Sequence, residues 1–153
     1  MNRNIVYINN VQKILEEKEI SINRLAKMSN LSRHTVASML SYSNRYNPRL
    51  STMCKVADAL NVSLIDILSR DSVKGVTKKN DVEMTEYMMI YRDNIRSLLV
   101  GRSQISISVN SGLSPTTISY LLNKENYDPK INTLLAMSEF LGIRLDVLFL
   151  RGV

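Results

Sequence analysis

The stretch Ser29-Asn30-Leu31-Ser32-Arg33-His34-Thr35-Val36 decides the fold, because the second half of the chain carries another version of it, Ser111-Gly112-Leu113-Ser114-Pro115-Thr116-Thr117-Ile118. Working outward from this pair, residues 21 to 70 overlay residues 103 to 151 with one residue of slip in a loop. Met39-Leu40 meets Leu121-Leu122, and Asn47-Pro48-Arg49 meets Asp128-Pro129-Lys130. About a dozen positions are identical and most others keep their polarity, beyond what chance spacing of apolar residues produces. The period is too long for a solenoid repeat. The chain therefore reads as two homologous domains, residues 1–70 and 83–153, joined by a polar linker over 71–82 that contains Gly75.

Two exchanges between the copies report on the backbone. Asn30 pairs with Gly112, and Asn61 pairs with Gly142. Asn and Gly are the residues that best tolerate a left-handed conformation, so both copies are expected to turn with positive φ at these places, each at the end of a helix. Ser32 and Ser114 then act as N-caps of the helix that follows, and Pro115 takes the first helical position, where its missing N–H costs nothing. The predicted class is all-α. Helices are expected near 4–18, 21–28, 32–42, 51–60 and 64–69, and again near 84–101, 103–110, 114–123, 132–141 and 145–150. Ser51 and Asn132 are predicted N-caps of the fourth helix in each copy, and Ser63-Leu64-Ile65-Asp66 reads as a capping box.

Composition narrows the function. With 153 residues and 44% hydrophobic content the chain suits one or two small soluble domains. A net charge of +6 favours an anionic partner, without distinguishing nucleic acid from other anionic surfaces. One cysteine, Cys54, and one histidine, His34, form neither a disulfide framework nor a zinc site. No secretory or membrane-spanning segment is recognisable, so a cytoplasmic location without membrane contact is expected. The sequence shows no metal cluster, nucleophile–base pair or glycine-rich phosphate loop, and no enzyme, cofactor or metal is expected. Glu16, Glu17 and Glu19 lie on an amphipathic first helix and read as a solvated face. Cys54 reads as a packing residue, and Lys78-Lys79 as part of a soluble linker.

Two short helices separated by a three-residue turn with Asn or Gly at the bend make a helix-turn-helix. Leu25, Ala26, Leu31, Val36, Met39 and Leu40 are expected to pack inward, leaving Arg33, His34, Ala37 and Ser38 on the outer face of the third helix. Such a helix fits the major groove, about 12 Å wide, and an arginine there bonds guanine O6 and N7 for about 1–3 kcal/mol of discrimination. The corresponding face of the second domain offers Thr116, Ser119 and Tyr120. Expected phosphate contacts are Ser21, Asn23, Ser32, Arg45, Arg49, Ser51 and Lys55 in the first domain, and Gln104, Ser114, Lys124 and Lys130 in the second.

At these residues the sequence resembles the Cro/Xre-type, phage-repressor-like helix-turn-helix family. The resemblance covers about 65 residues of each half. It rests on Arg24-Leu25-Ala26, Asn30-Leu31-Ser32, Thr35-Val36 and the run from Pro48 to Ser63, and in the second half on Ser103-Gln104, Gly112-Leu113-Ser114, Thr117-Ile118-Ser119, Pro129 and Leu141-Gly142-Ile143. The family implies two five-helix bundles, binding of a double-stranded DNA operator through the third helix of each, and transcriptional control in bacteria or their phages and mobile elements, and a repressor is the expected role here. It also implies a phosphate-holding glutamine at Gln104, where the first domain departs with Ile22. The small Ala26 becomes Ser108 in the second copy.

Charge separates the two domains. Through Arg70 there are ten Lys and Arg against five acids; residues 71 to 86 have three against four, and the remainder has seven against five. Because nonspecific DNA affinity is mostly phosphate neutralisation, the first domain is expected to be the stronger binder. Adjacent half-sites lie about 34 Å apart, and a dozen-residue linker spans roughly 40 Å only when nearly extended. One chain bridging two grooves, a compact pair, and a homodimer all remain compatible with the sequence. So does a protein-interaction module, such as an antitoxin or adaptor, built on the same bundle. In the first helix of the second domain Met84, Tyr87, Met88, Tyr91, Ile95, Leu98 and Leu99 form a core stripe. Met89 and Ile90 fall off it, as an extra contact surface or as tolerated exposed apolar residues.

Overall fold

The computed structural model describes residues 5–42, 47–69 and 83–153. The linker expected over 71–82 and the expected phosphate contact Arg45 lie outside these described residues. The chain divides into two compact units, Met1–Asp81 and Val82–Val153, all-helical with no strand among the described residues. The first unit contains α1 (Ile5–Lys18), α2 (Ile22–Ser29), α3 (Arg33–Met39), α4 (Leu50–Leu60) and α5 (Leu64–Leu68). The second repeats the order with α6 (Met84–Leu98), α7 (Gln104–Ser111), α8 (Pro115–Asn123), α9 (Ile131–Leu141) and α10 (Leu145–Leu148).

The turns form as their residue types dictate. Asn30, Asn61, Gly112 and Gly142 all adopt the left-handed conformation, with φ of 58°, 57°, 76° and 66°, and each ends a helix. Ser21, Ser32, Ser103 and Ser114 cap the helices that follow, each hydroxyl accepting from the backbone N–H three residues on. The Ser63–Asp66 capping box closes in both directions. The expected caps at Ser51 and Asn132 do not form. Arg49 and Lys130 occupy the N-cap positions of α4 and α9, without a side-chain cap bond. The reason is burial: Leu50 and Ile131 are fully buried at the first helical position, so the helix begins one residue before the polar side chain.

Three helices also end two or three residues earlier than expected. Gly101, at φ 82°, follows α6 and stops it at Leu98, while α3 ends at Met39 and α10 at Leu148. In the first unit α2 packs on α3 and α4, and α1 on α5; in the second α7 packs on α8 and α9, and α6 on α10. Leu25, Ala26, Val36, Met39 and Leu40 are buried as expected, and Leu31 is half-buried. Of the two residues off the α6 stripe, only Met89 is exposed. Ile90 is buried, one turn before buried Asn94, because the inward face of α6 is wider than the stripe.

Candidate nucleic-acid interface

The outer face of the first unit is built from α2, its turn and the start of α3. The Ser32 cap places Arg33 at the first position of α3, where it is exposed, and its Nε donates to Asn23 Oδ1 at 2.6 Å. This bond ties the third helix to the second on the surface side and leaves the terminal nitrogens of the guanidinium to point elsewhere. Asn23, Ala26, Lys27, Asn30, Leu31, Ser32 and Arg33 line one open groove of about 560 Å³. From Ser21 to Ser41 the sequence holds Arg24, Lys27 and Arg33 and no acid, so the field over this groove is positive. Lys27 is a member that sequence reasoning missed. Its position one turn beyond Asn23 on α2 is the signal that marks it.

Of the other expected contacts among the described residues of this unit, Ser32 lines the groove and the rest do not. His34 is exposed at the second position of α3, and Ala37 and Ser38 are half-buried further along the helix. Ser21 is exposed and its hydroxyl is engaged in capping α2; the Ser32 hydroxyl likewise serves Thr35. Arg49 is exposed at the N-cap of α4, Ser51 is half-buried in its first turn, and Lys55 is exposed one turn later. A cation at the positive end of a helix is disfavoured by the macrodipole, and an anion there would be held by both.

Residues 10–72 match the model of the Cro/C1-type helix-turn-helix DNA-binding domain, and residues 95–148 match a helix-turn-helix family model. The chain belongs to the Cro/C1-type helix-turn-helix family. It carries the fold twice, in tandem, and its family makes it a DNA-binding regulator in the general sense. No curated protein and no solved structure matches it.

The second Cro/C1-type unit keeps the scaffold and changes the face. Ser114 caps α8 as Ser32 caps α3, but Pro115 stands at the position of Arg33. Thr116 is exposed and Ser119 half-buried. The Tyr120 ring has Lys124 Nζ 4.2 Å from its centroid and Tyr127 edge-on at 5.5 Å. Lys124 thus stands at the C-terminal cap of α8, the end richer in carbonyls, and Gln104 is exposed at the first position of α7. Lys130 is exposed at the N-cap of α9, matching Arg49. Two cations of α6, Arg92 and Arg96, instead turn toward carbonyls at the end of α8. Arg92 Nε donates to Leu121 O at 2.8 Å and its Nη2 to Lys124 O at 2.6 Å, while Arg96 donates to Leu122 O. Burial, and then the neighbouring Arg96, lower the Arg92 pKa from its ordinary value.

Proposed function

We propose that this Cro/C1-type protein is a sequence-specific transcriptional regulator, acting as a repressor in the cytoplasm, that reads the major groove of a double-stranded DNA operator with α3. Arg33 is the base-reading residue, with His34, Ala37 and Ser38 along the same helix, while Lys27, Arg49, Lys55 and the N-termini of α2 and α4 hold phosphates. The observation that carries this reading is the Asn23–Arg33 hydrogen bond at 2.6 Å in an acid-free groove. An arginine held at one atom loses less freedom when it meets a base, and planar bidentate contact demands such orientation. Repression follows from occupancy, because a protein clamped on an operator excludes others from it.

The experiment is selection of random duplexes by the full chain, followed by titration of the selected site at low and moderate salt. An enriched motif and an affinity that falls steeply with salt are expected. No enriched motif, or an affinity indifferent to salt, would leave the protein-interaction reading, an antitoxin or adaptor, in its place.

A further inference from the structure

The Asn23–Arg33 bond joins two exposed side chains near the starts of neighbouring helices, Asn23 at the second position of α2 and Arg33 at the first of α3. The fold does not depend on it. In the repeat overlay Ile105 and Pro115 stand at these two positions, so the second copy lacks both partners together. There α7 still packs on α8, between the same serine caps at Ser103 and Ser114. A pair that one copy omits as a unit, and that caps no helix and fills no core, is free for another role.

The chemistry of the bond defines that role. A guanidinium only donates, so the Asn23 atom that meets Nε at 2.6 Å is its carbonyl oxygen. Arginine has two edges of parallel N–H bonds, one shared by Nε and a terminal nitrogen, the other formed by the two terminal nitrogens. With Nε engaged, only the second edge is left for bidentate contact, and no carboxylate between Ser21 and Ser41 competes for it. We propose, resting on the reading of α3 as the DNA-binding helix, that Asn23 is a positioning residue that sets base preference: it fixes the plane of Arg33 so that the terminal edge meets guanine O6 and N7. An untethered arginine swings between a base and the neighbouring phosphates, all of which accept from it, whereas a tethered one presents a single edge in one direction. This indirect role replaces the phosphate contact that the sequence position of Asn23 suggests.

The test measures wild type, Asn23→Ala, Asn23→Asp, Arg33→Ala and the Asn23→Ala/Arg33→Ala double variant on the selected duplex and its single-base variants, and follows NMR relaxation of the Arg33 Nε–H without DNA. Asn23→Ala is expected to cut discrimination about 3- to 10-fold at the one base pair that Arg33 reads, the factor that ordering one long side chain carries. It is expected to add nothing to Arg33→Ala in the double variant. Asn23→Asp still accepts from Nε, so it is expected to keep the preference while its charge weakens every duplex. The Nε–H is expected to be ordered in wild type and Asn23→Asp and mobile in Asn23→Ala. An Asn23→Asp variant that loses the preference as far as Asn23→Ala does, an Asn23→Ala variant that weakens all duplexes alike, or an Nε–H as mobile in wild type as in Asn23→Ala would overturn the proposal. If Arg33→Ala loses affinity uniformly, the base-reading assignment falls and the proposal with it; if Arg33→Ala loses one preference that Asn23→Ala keeps, the proposal alone falls.

Discussion

At the scale of single residues, the two units solve one problem differently. Tyr7 and Tyr91 occupy equivalent places on the first helix of each copy, and both are buried. The Tyr7 hydroxyl donates to Met39 O at 2.7 Å, at the C-terminal end of α3. The equivalent carbonyl in the second unit, that of Leu121, is taken by Arg92, and the Tyr91 hydroxyl finds no hydrogen-bond partner among the described residues. Burial, with Tyr127 adding to it, pushes the Tyr91 phenol far above its ordinary pKa and holds it neutral. An intramolecular hydrogen bond contributes about 1 kcal/mol net, whereas an unmet buried hydroxyl costs about as much. Tyr7→Phe is therefore expected to destabilise the protein by about 1 kcal/mol, and Tyr91→Phe to be neutral or stabilising, in urea unfolding of the full chain. Equal losses for the two would contradict this assignment.

At the scale of elements, the short last helix of each unit depends on the first. Asn10 Nδ2 donates to Ile67 O at 2.7 Å and Ser69 O at 2.8 Å; Asn94 Nδ2 donates to Leu148 O at 2.9 Å and Leu150 O at 2.7 Å. A four-residue helix such as α10 has too few internal bonds to persist alone, so this clasp and the burial of Leu145, Leu148 and Phe149 hold it. Asn94→Leu keeps the branched shape, though it is larger, and removes the amide that donates both bonds. It is expected to cost about 1–3 kcal/mol and to speed amide exchange selectively in α10, read by hydrogen-exchange mass spectrometry. Much of this architecture is legible in the sequence, since the Asn/Gly exchanges at 30/112 and 61/142 name the turns, and serines at 32 and 114 the caps. The clasp is not, because the overlay of the copies begins only at Ser21. Extended backward without a gap it sets Tyr7 against Met89 and Asn10 against Arg92, and only a further two-residue slip before Ser21 brings Tyr7 and Asn10 onto Tyr91 and Asn94. The caps at Ser51 and Asn132 were misplaced for a different reason, the burial of the preceding Leu50 and Ile131, which only packing reveals.

At the scale of the whole molecule, one scaffold used twice carries two surfaces of opposite character. The first unit presents cations around a groove; the second presents Ile105, Val109 and an uncharged pair of helices. The residues proposed to read bases are legible to the extent that they differ between copies, while the Asn23 anchor of Arg33 requires coordinates. Salt dependence of DNA binding belongs to the sum of phosphate contacts. Arg49→Ala is expected to weaken all duplexes similarly and to reduce the slope of log affinity against log salt by about one. The central claim, that α3 reads sequence through Arg33, is tested most directly by measuring the affinity of wild type and Arg33→Ala for the selected site and for each single-base variant of it. Arg33→Ala is expected to lose preference at one base pair, by about 1–3 kcal/mol, and to keep the remaining preferences. A uniform loss across every variant, like that expected for Arg49→Ala, would make Arg33 a phosphate contact and contradict the account.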